Sequence, residues 1–86
     1  MVSSAAKKRA IRSLSAYLVE RLMTEKNLSR DTALETLMKT LLYEMLMDPE
    51  TDMYLESRES LWEYLTDEMN GKPEKLLIFF KIHILS

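Results

Sequence analysis

The chain has 86 residues, of which 47% are hydrophobic and 30% charged, and its formal net charge is -2. That length sets one domain of thin stability, since a chain this small buries only about 60 to 65% of the surface it exposes when unfolded. The composition is globular, matching neither a disordered tail nor a membrane protein. With no cysteine, a single histidine (His83) and a single glycine (Gly71), disulfide staples, thiolate zinc sites, histidine-rich metal sites and glycine-rich phosphate loops are excluded.

Lys7, Lys8 and Arg9 are followed by mixed polar and apolar residues rather than by the apolar core of about 7 to 15 residues that a signal peptide carries, so the expected location is the cytoplasm. From about Ser4 to Lys26 the apolar residues Ile11, Leu14, Leu18 and Leu22 recur at three- and four-residue steps, which predicts an amphipathic helix. Asn27-Leu28-Ser29 interrupts that pattern. Ser29 is suited to cap the next helix, because its hydroxyl can accept from the free amides of the first turn, and Asp31 complements the positive helix end. Ala33, Leu34, Leu37, Met38, Leu41, Leu42, Met45 and Leu46 then form an unbroken apolar stripe, which predicts one central helix from Arg30 to the stop at Asp48-Pro49.

Asp48-Pro49-Glu50-Thr51-Asp52 reads as a turn, and Met53-Tyr54-Leu55 as a short extended stretch. Asp48, Glu50, Asp52 and Glu59 also fall at positions 1, 3, 5 and 12 of a calcium-loop spacing, but Met53 stands at position 6, where the loop needs glycine. A solvated turn with capping acids is the expected reading, and no metal or cofactor is implied. Ser57 caps a third helix from about Arg58 to Met69 with Leu61, Trp62, Leu65 and Met69 on one face, closed by Asn70-Gly71 as a left-handed cap. After Lys72-Pro73, residues Leu76 to Leu85 suit either a short helix or a strand. Interrupted by Lys81 and His83, that stretch is about half the length of a membrane span. His83, between Ile82 and Ile84, is expected to be a packed or interfacial residue.

Charge is distributed unevenly: residues 1–43 carry +4, residues 44–70 carry -8 and residues 71–86 carry +2. Two surfaces follow. The acidic segment, with Trp62, Tyr54 and Met53 among Glu56 and Glu63, is the candidate protein-binding face, since aromatic and methionine side chains are common anchors of interfaces. The basic end, with Lys7, Lys8, Arg9 and Arg12, is the candidate phosphate contact if the partner is DNA. Nothing pairs a nucleophile with a base, and the many acids read as a solvated face, so a non-catalytic role is expected.

Residues 18–34, from Leu18-Val19-Glu20-Arg21-Leu22 through Asn27-Leu28-Ser29-Arg30-Asp31 to Ala33-Leu34, are similar to the helix-loop-helix half of ribbon-helix-helix repressors. That resemblance implies a dimer whose N-terminal strand, here Ile11-Arg12-Ser13-Leu14-Ser15, pairs across the two-fold and enters the major groove. More of the chain, roughly residues 14–69, resembles a group of small uncharacterised bacterial proteins associated with toxin-antitoxin loci. The residues that carry the likeness are Glu25-Lys26-Asn27-Leu28-Ser29, Leu42-Tyr43-Glu44-Met45-Leu46, Glu50-Thr51-Asp52-Met53-Tyr54-Leu55-Glu56-Ser57 and Leu61-Trp62-Glu63-Tyr64-Leu65. This resemblance implies a helical binding component and assigns no catalytic residues. The expectation is therefore an all-α domain over residues 1–71, completed by an apolar element at 72–86. It is a homodimeric protein-interaction module with no membrane partner, and a DNA-binding repressor is the alternative.

Overall fold

The structure, a computed structural model, describes residues 4–82. Among them there is no strand, and the expected all-α class holds. Helix α1 (Ser4–Lys26) buries Ile11, Leu14, Leu18, Val19 and Leu22 at the spacing read from the sequence. It ends at Asn27, which takes a left-handed conformation at φ 54, while the Leu28 amide donates to the Met23 carbonyl at 3.1 Å. That closure ties off a carbonyl of the last turn and brings Leu28 against the core. Helix α2 (Arg30–Met38) starts as expected, with the Ser29 hydroxyl accepting from the Thr32 amide at 3.2 Å.

The single central helix expected from Arg30 to Met47 is corrected: it is broken at Lys39-Thr40, and a separate helix α3 covers Leu41–Met47. Thr40 is extended, at φ -92 and ψ 153. Its hydroxyl accepts from the Tyr43 amide at 3.1 Å and donates to the Leu37 carbonyl at 2.7 Å, bridging the two helix ends. The Leu41 and Leu42 amides donate to the two Glu68 carboxylate oxygens, at 2.7 and 3.0 Å. Four first-turn amides of any helix lack partners in the helix itself, and a carboxylate beside them also meets the positive end of the helix dipole. Three of those of α3 are accounted for by Thr40 and Glu68. The break redirects the stripe: Ala33 and Leu37 are buried before it and Leu42, Met45 and Leu46 after it, whereas Leu34 and Met38 are left exposed.

The expected extended stretch at Met53–Leu55 is also corrected. Two single 3₁₀ turns, Pro49–Thr51 and Met53–Leu55, are joined by Asp52 at φ 61. Asp48 caps the first, accepting from the Glu50 amide at 3.0 Å. Thr51 is buried, its hydroxyl donating to the Met45 carbonyl and accepting from the Met53 amide at 3.2 Å. With its polar groups satisfied by that hydroxyl, the turn can cross the core surface at little cost.

Helix α4 (Arg58–Met69) is capped by Ser57, which accepts from the Ser60 amide at 3.1 Å, and it buries Leu61 and Leu65. Gly71 closes it at φ 76, with the Lys72 amide donating to the Asp67 carbonyl at 2.8 Å. Helix α5 (Glu74–Phe80) resolves the helix-or-strand ambiguity in favour of helix, and Leu76 and Phe79 join the core. His83 lies outside the described residues. Helix α1 packs against α2, α3, α4 and the second 3₁₀ turn, so the core forms around its inner face. Among the described residues no helix is long and apolar enough to cross a membrane.

Removing the Glu68 carboxylate leaves two part-buried amides without acceptors, and Glu68→Ala is expected to cost about 1 to 3 kcal/mol in urea unfolding. Thr40→Ala is expected to cost about 1 to 2 kcal/mol. Because both act on one helix start, the double variant is expected to depart from the sum of the single losses. Strict additivity would show that the two caps act independently.

Candidate functional site

The five residues singled out on the acidic segment do not share one exposed face. Met53 is fully buried and Tyr54 nearly so, with the Lys7 ammonium 6.0 Å from the Tyr54 ring centroid. Both support the fold from within rather than reach outward. Trp62, on α4, is half-buried, and the Arg21 guanidinium of α1 stands 4.7 Å from its ring centroid. Arg21 also donates to the Tyr17 hydroxyl at 2.7 Å, and the Arg58 guanidinium lies 5.4 Å from the Tyr17 ring. Trp62, Arg21, Tyr17 and Arg58 thus alternate ring and cation along the seam between α1 and α4, a pairing that sequence spacing does not announce.

Glu56 and Glu63 are engaged within the chain. The Tyr64 hydroxyl donates to Glu56 at 2.9 Å, and Lys75 at the start of α5 meets Glu63 and, at 3.9 Å, Asp67. Burial, then the hydrogen bond to Glu56 and the charges of Glu56 and Glu63, push the Tyr64 phenol up from 10.0 to about 12. The hydrogen bond to Glu63 likewise holds Lys75 above the ordinary lysine value. Asp48 serves as a turn cap, and among the described residues no three acidic or histidine side chains gather as metal ligands would. The calcium-loop spacing therefore does not become a cluster of carboxylates.

At the basic end, residues 11–15 lie inside α1, so they do not form the strand that a ribbon-helix-helix repressor pairs across its dimer. On a helix turning about 100° per residue, Lys7 and Arg9 lie on opposite sides of Lys8, whereas Lys8 and Arg12 fall one turn apart on the same flank. Lys8 and Arg12, with Ile11 and Ser15, form one wall of a groove of about 530 Å³, faced by Tyr43 and Met47 of α3 and by Pro49. The Ser15 hydroxyl oxygen is buried and finds no hydrogen-bond partner among the described residues.

Exposed apolar side chains gather in two further places. Leu34 and Met38 stand on the outer side of α2, flanked by the Glu35–Lys39 ion pair at 3.1 Å. On α5, Leu77 is 49% and Ile78 58% exposed, with Ile82 at 56% next to them. The signal for this face was present in the sequence as an apolar run longer than a single buried stripe requires. Comparison with protein-family models, with curated proteins and with solved structures gives no match.

The pH dependence of stability follows from Tyr64. The folded state holds the phenolic proton more tightly than the unfolded chain, so this contribution is complete below pH 10 and is lost as pH rises toward about 12. Lys75, also raised, loses its contribution as the pH climbs through its own folded value, with the same sign. The unfolding free energy is therefore expected to fall across that window, and Tyr64→Phe is expected to lessen the slope without abolishing it. An unchanged slope, or tyrosinate absorbance in which all four tyrosines ionise near pH 10, would contradict this assignment.

Proposed function

We propose that this chain is a non-catalytic helical module that binds protein, acts in the cytoplasm as a component of a toxin-antitoxin-type locus, and self-associates as a homodimer. The observation that carries the reading is the outer face of α5. Leu76 and Phe79 hold this short helix on the core, yet Leu77 and Ile78 on the same two turns are about half exposed or more. A seven-residue helix cannot be stable by itself and gains stability when its second apolar face is covered. Completing the burial of Leu77, Ile78 and Ile82 in a two-fold interface is worth about 2 to 5 kcal/mol per subunit. That is a large fraction of what a domain this small can hold.

A non-catalytic role is supported by how the acids are used. Glu68, Glu56, Glu63 and Asp48 are committed to helix caps, a tyrosine hydroxyl, a lysine and a turn. The resemblance to toxin-antitoxin-associated proteins supplies the class of partner, a protein encoded beside it.

Sedimentation velocity of the full chain is expected to show a dimer, and the double change Leu77→Glu with Ile78→Glu a monomer of unchanged helix content. Co-expression with the product of the adjacent gene is expected to yield a stable complex. A wild-type chain that sediments as a monomer at all concentrations, and leaves the neighbouring product behind, would overturn the reading.

A further inference from the structure

The groove between the first half of α1 and α3 combines two features of a recognition site, an apolar lining and a cationic rim. Its floor and far wall are apolar, from Ile11, Met47 and Pro49, with the Tyr43 ring beside them. Its rim is cationic: Lys8 and Arg12 are exposed and make no ion pair among the described residues. Ser15 also lines the groove, with its hydroxyl oxygen buried. A serine within a helix commonly bonds back to the carbonyl one turn earlier, and buried hydroxyls are rarely left unpaired. The Ser15 hydroxyl does neither among the described residues. The groove's volume, about 530 Å³, lies within the range of sites that take a ligand or a few side chains.

We propose that this groove receives an acidic, amphipathic segment of a partner protein. An apolar side chain of that segment rests on Ile11, Met47 and Pro49, and carboxylates on either side meet Lys8 and Arg12. Charge complementarity selects this occupant. Two cations one turn apart are matched by two acids one turn apart on a helical segment, and the apolar floor between them rewards a leucine or methionine there. A nucleic-acid backbone would leave that floor uncovered, and of the other two cations Lys7 stands over the Tyr54 ring while Arg9, one turn from Arg12, lies outside the groove lining. The proposal deepens the protein-binding reading and rests on it, but it uses elements other than α5.

The test uses the full chain and fluorescence anisotropy with two labelled synthetic peptides: one of leucine and glutamate in amphipathic helical register, and its counterpart with every glutamate replaced by glutamine. A labelled short duplex DNA is the third probe. The acidic peptide is expected to bind saturably and more weakly as salt rises. The glutamine peptide, and the acidic peptide on the Lys8→Gln with Arg12→Gln variant, are expected to bind about tenfold more weakly or worse. Met47→Glu is expected to abolish binding, and circular dichroism checks that each variant keeps its helix content. No saturable binding of the acidic peptide, equal binding of the two peptides, an unchanged Lys8/Arg12 variant, or DNA bound more tightly than peptide would each overturn the proposal. Sedimentation of the wild-type chain separates the two readings: a wild-type monomer that still binds the acidic peptide leaves the groove standing while self-association through α5 fails, and a wild-type dimer that binds no peptide does the reverse.

Discussion

The Glu68 carboxylate, set on the first free amides of α3, is the contact on which the arrangement of the middle of the chain depends. It joins residues 27 and 26 positions apart in sequence, the Leu41 and Leu42 amides with the end of α4. A helix that simply continued from α2 would have no free amides there. With the carboxylate and the Thr40 hydroxyl in place, the break between α2 and α3 no longer exposes unpaired donors to a dry interior, and the chain can turn. The turn points Leu42, Met45 and Leu46 at the core beside α1 and carries Tyr43 and Met47 to the groove. Core and groove are thus set by the same polar contact.

Most of the local punctuation was legible in the residues. The stripe of α1, the Ser29 and Ser57 caps and the left-handed stop at Gly71 are decided by neighbours within one turn. The break at Thr40 was hidden because apolar residues keep helical spacing straight through it, and because its decisive partner, Glu68, lies on another helix. The Met53–Leu55 stretch was misread for a similar reason: the buried Thr51 hydroxyl, which organises both 3₁₀ turns, gives no sign in a run of turn-forming residues.

The candidate site was legible only in part, and the reason is again long-range pairing. Aromatic and acidic residues on the segment from Met53 to Glu63 look like an interface when taken alone. In the fold, Met53 and Tyr54 fill the interior, Trp62 is stacked under Arg21, and Glu56 and Glu63 are bound to Tyr64 and Lys75. The basic end shows the reverse. Its four cations read as one cluster along the sequence, but helical geometry carries Lys7 away from the others, and of the remaining three Lys8 and Arg12 line an apolar hollow that α3 and Pro49 complete.

Gly71 and the short helix after it give the molecule a graded stability. Helix α5 is held mainly against α4, by Leu76, by the Phe79 ring 6.2 Å from that of Tyr64, and by Lys75 on the α4 acids. Releasing it requires rotation about a glycine that already tolerates unusual backbone angles, and it leaves the packing of α1 against α2, α3, α4 and the second 3₁₀ turn in place. Its amides are therefore expected to exchange with solvent through a local opening that costs less than unfolding the whole domain. The last turn of the fold behaves as a latch whose protection against exchange reports, residue by residue, whether anything is bound over it.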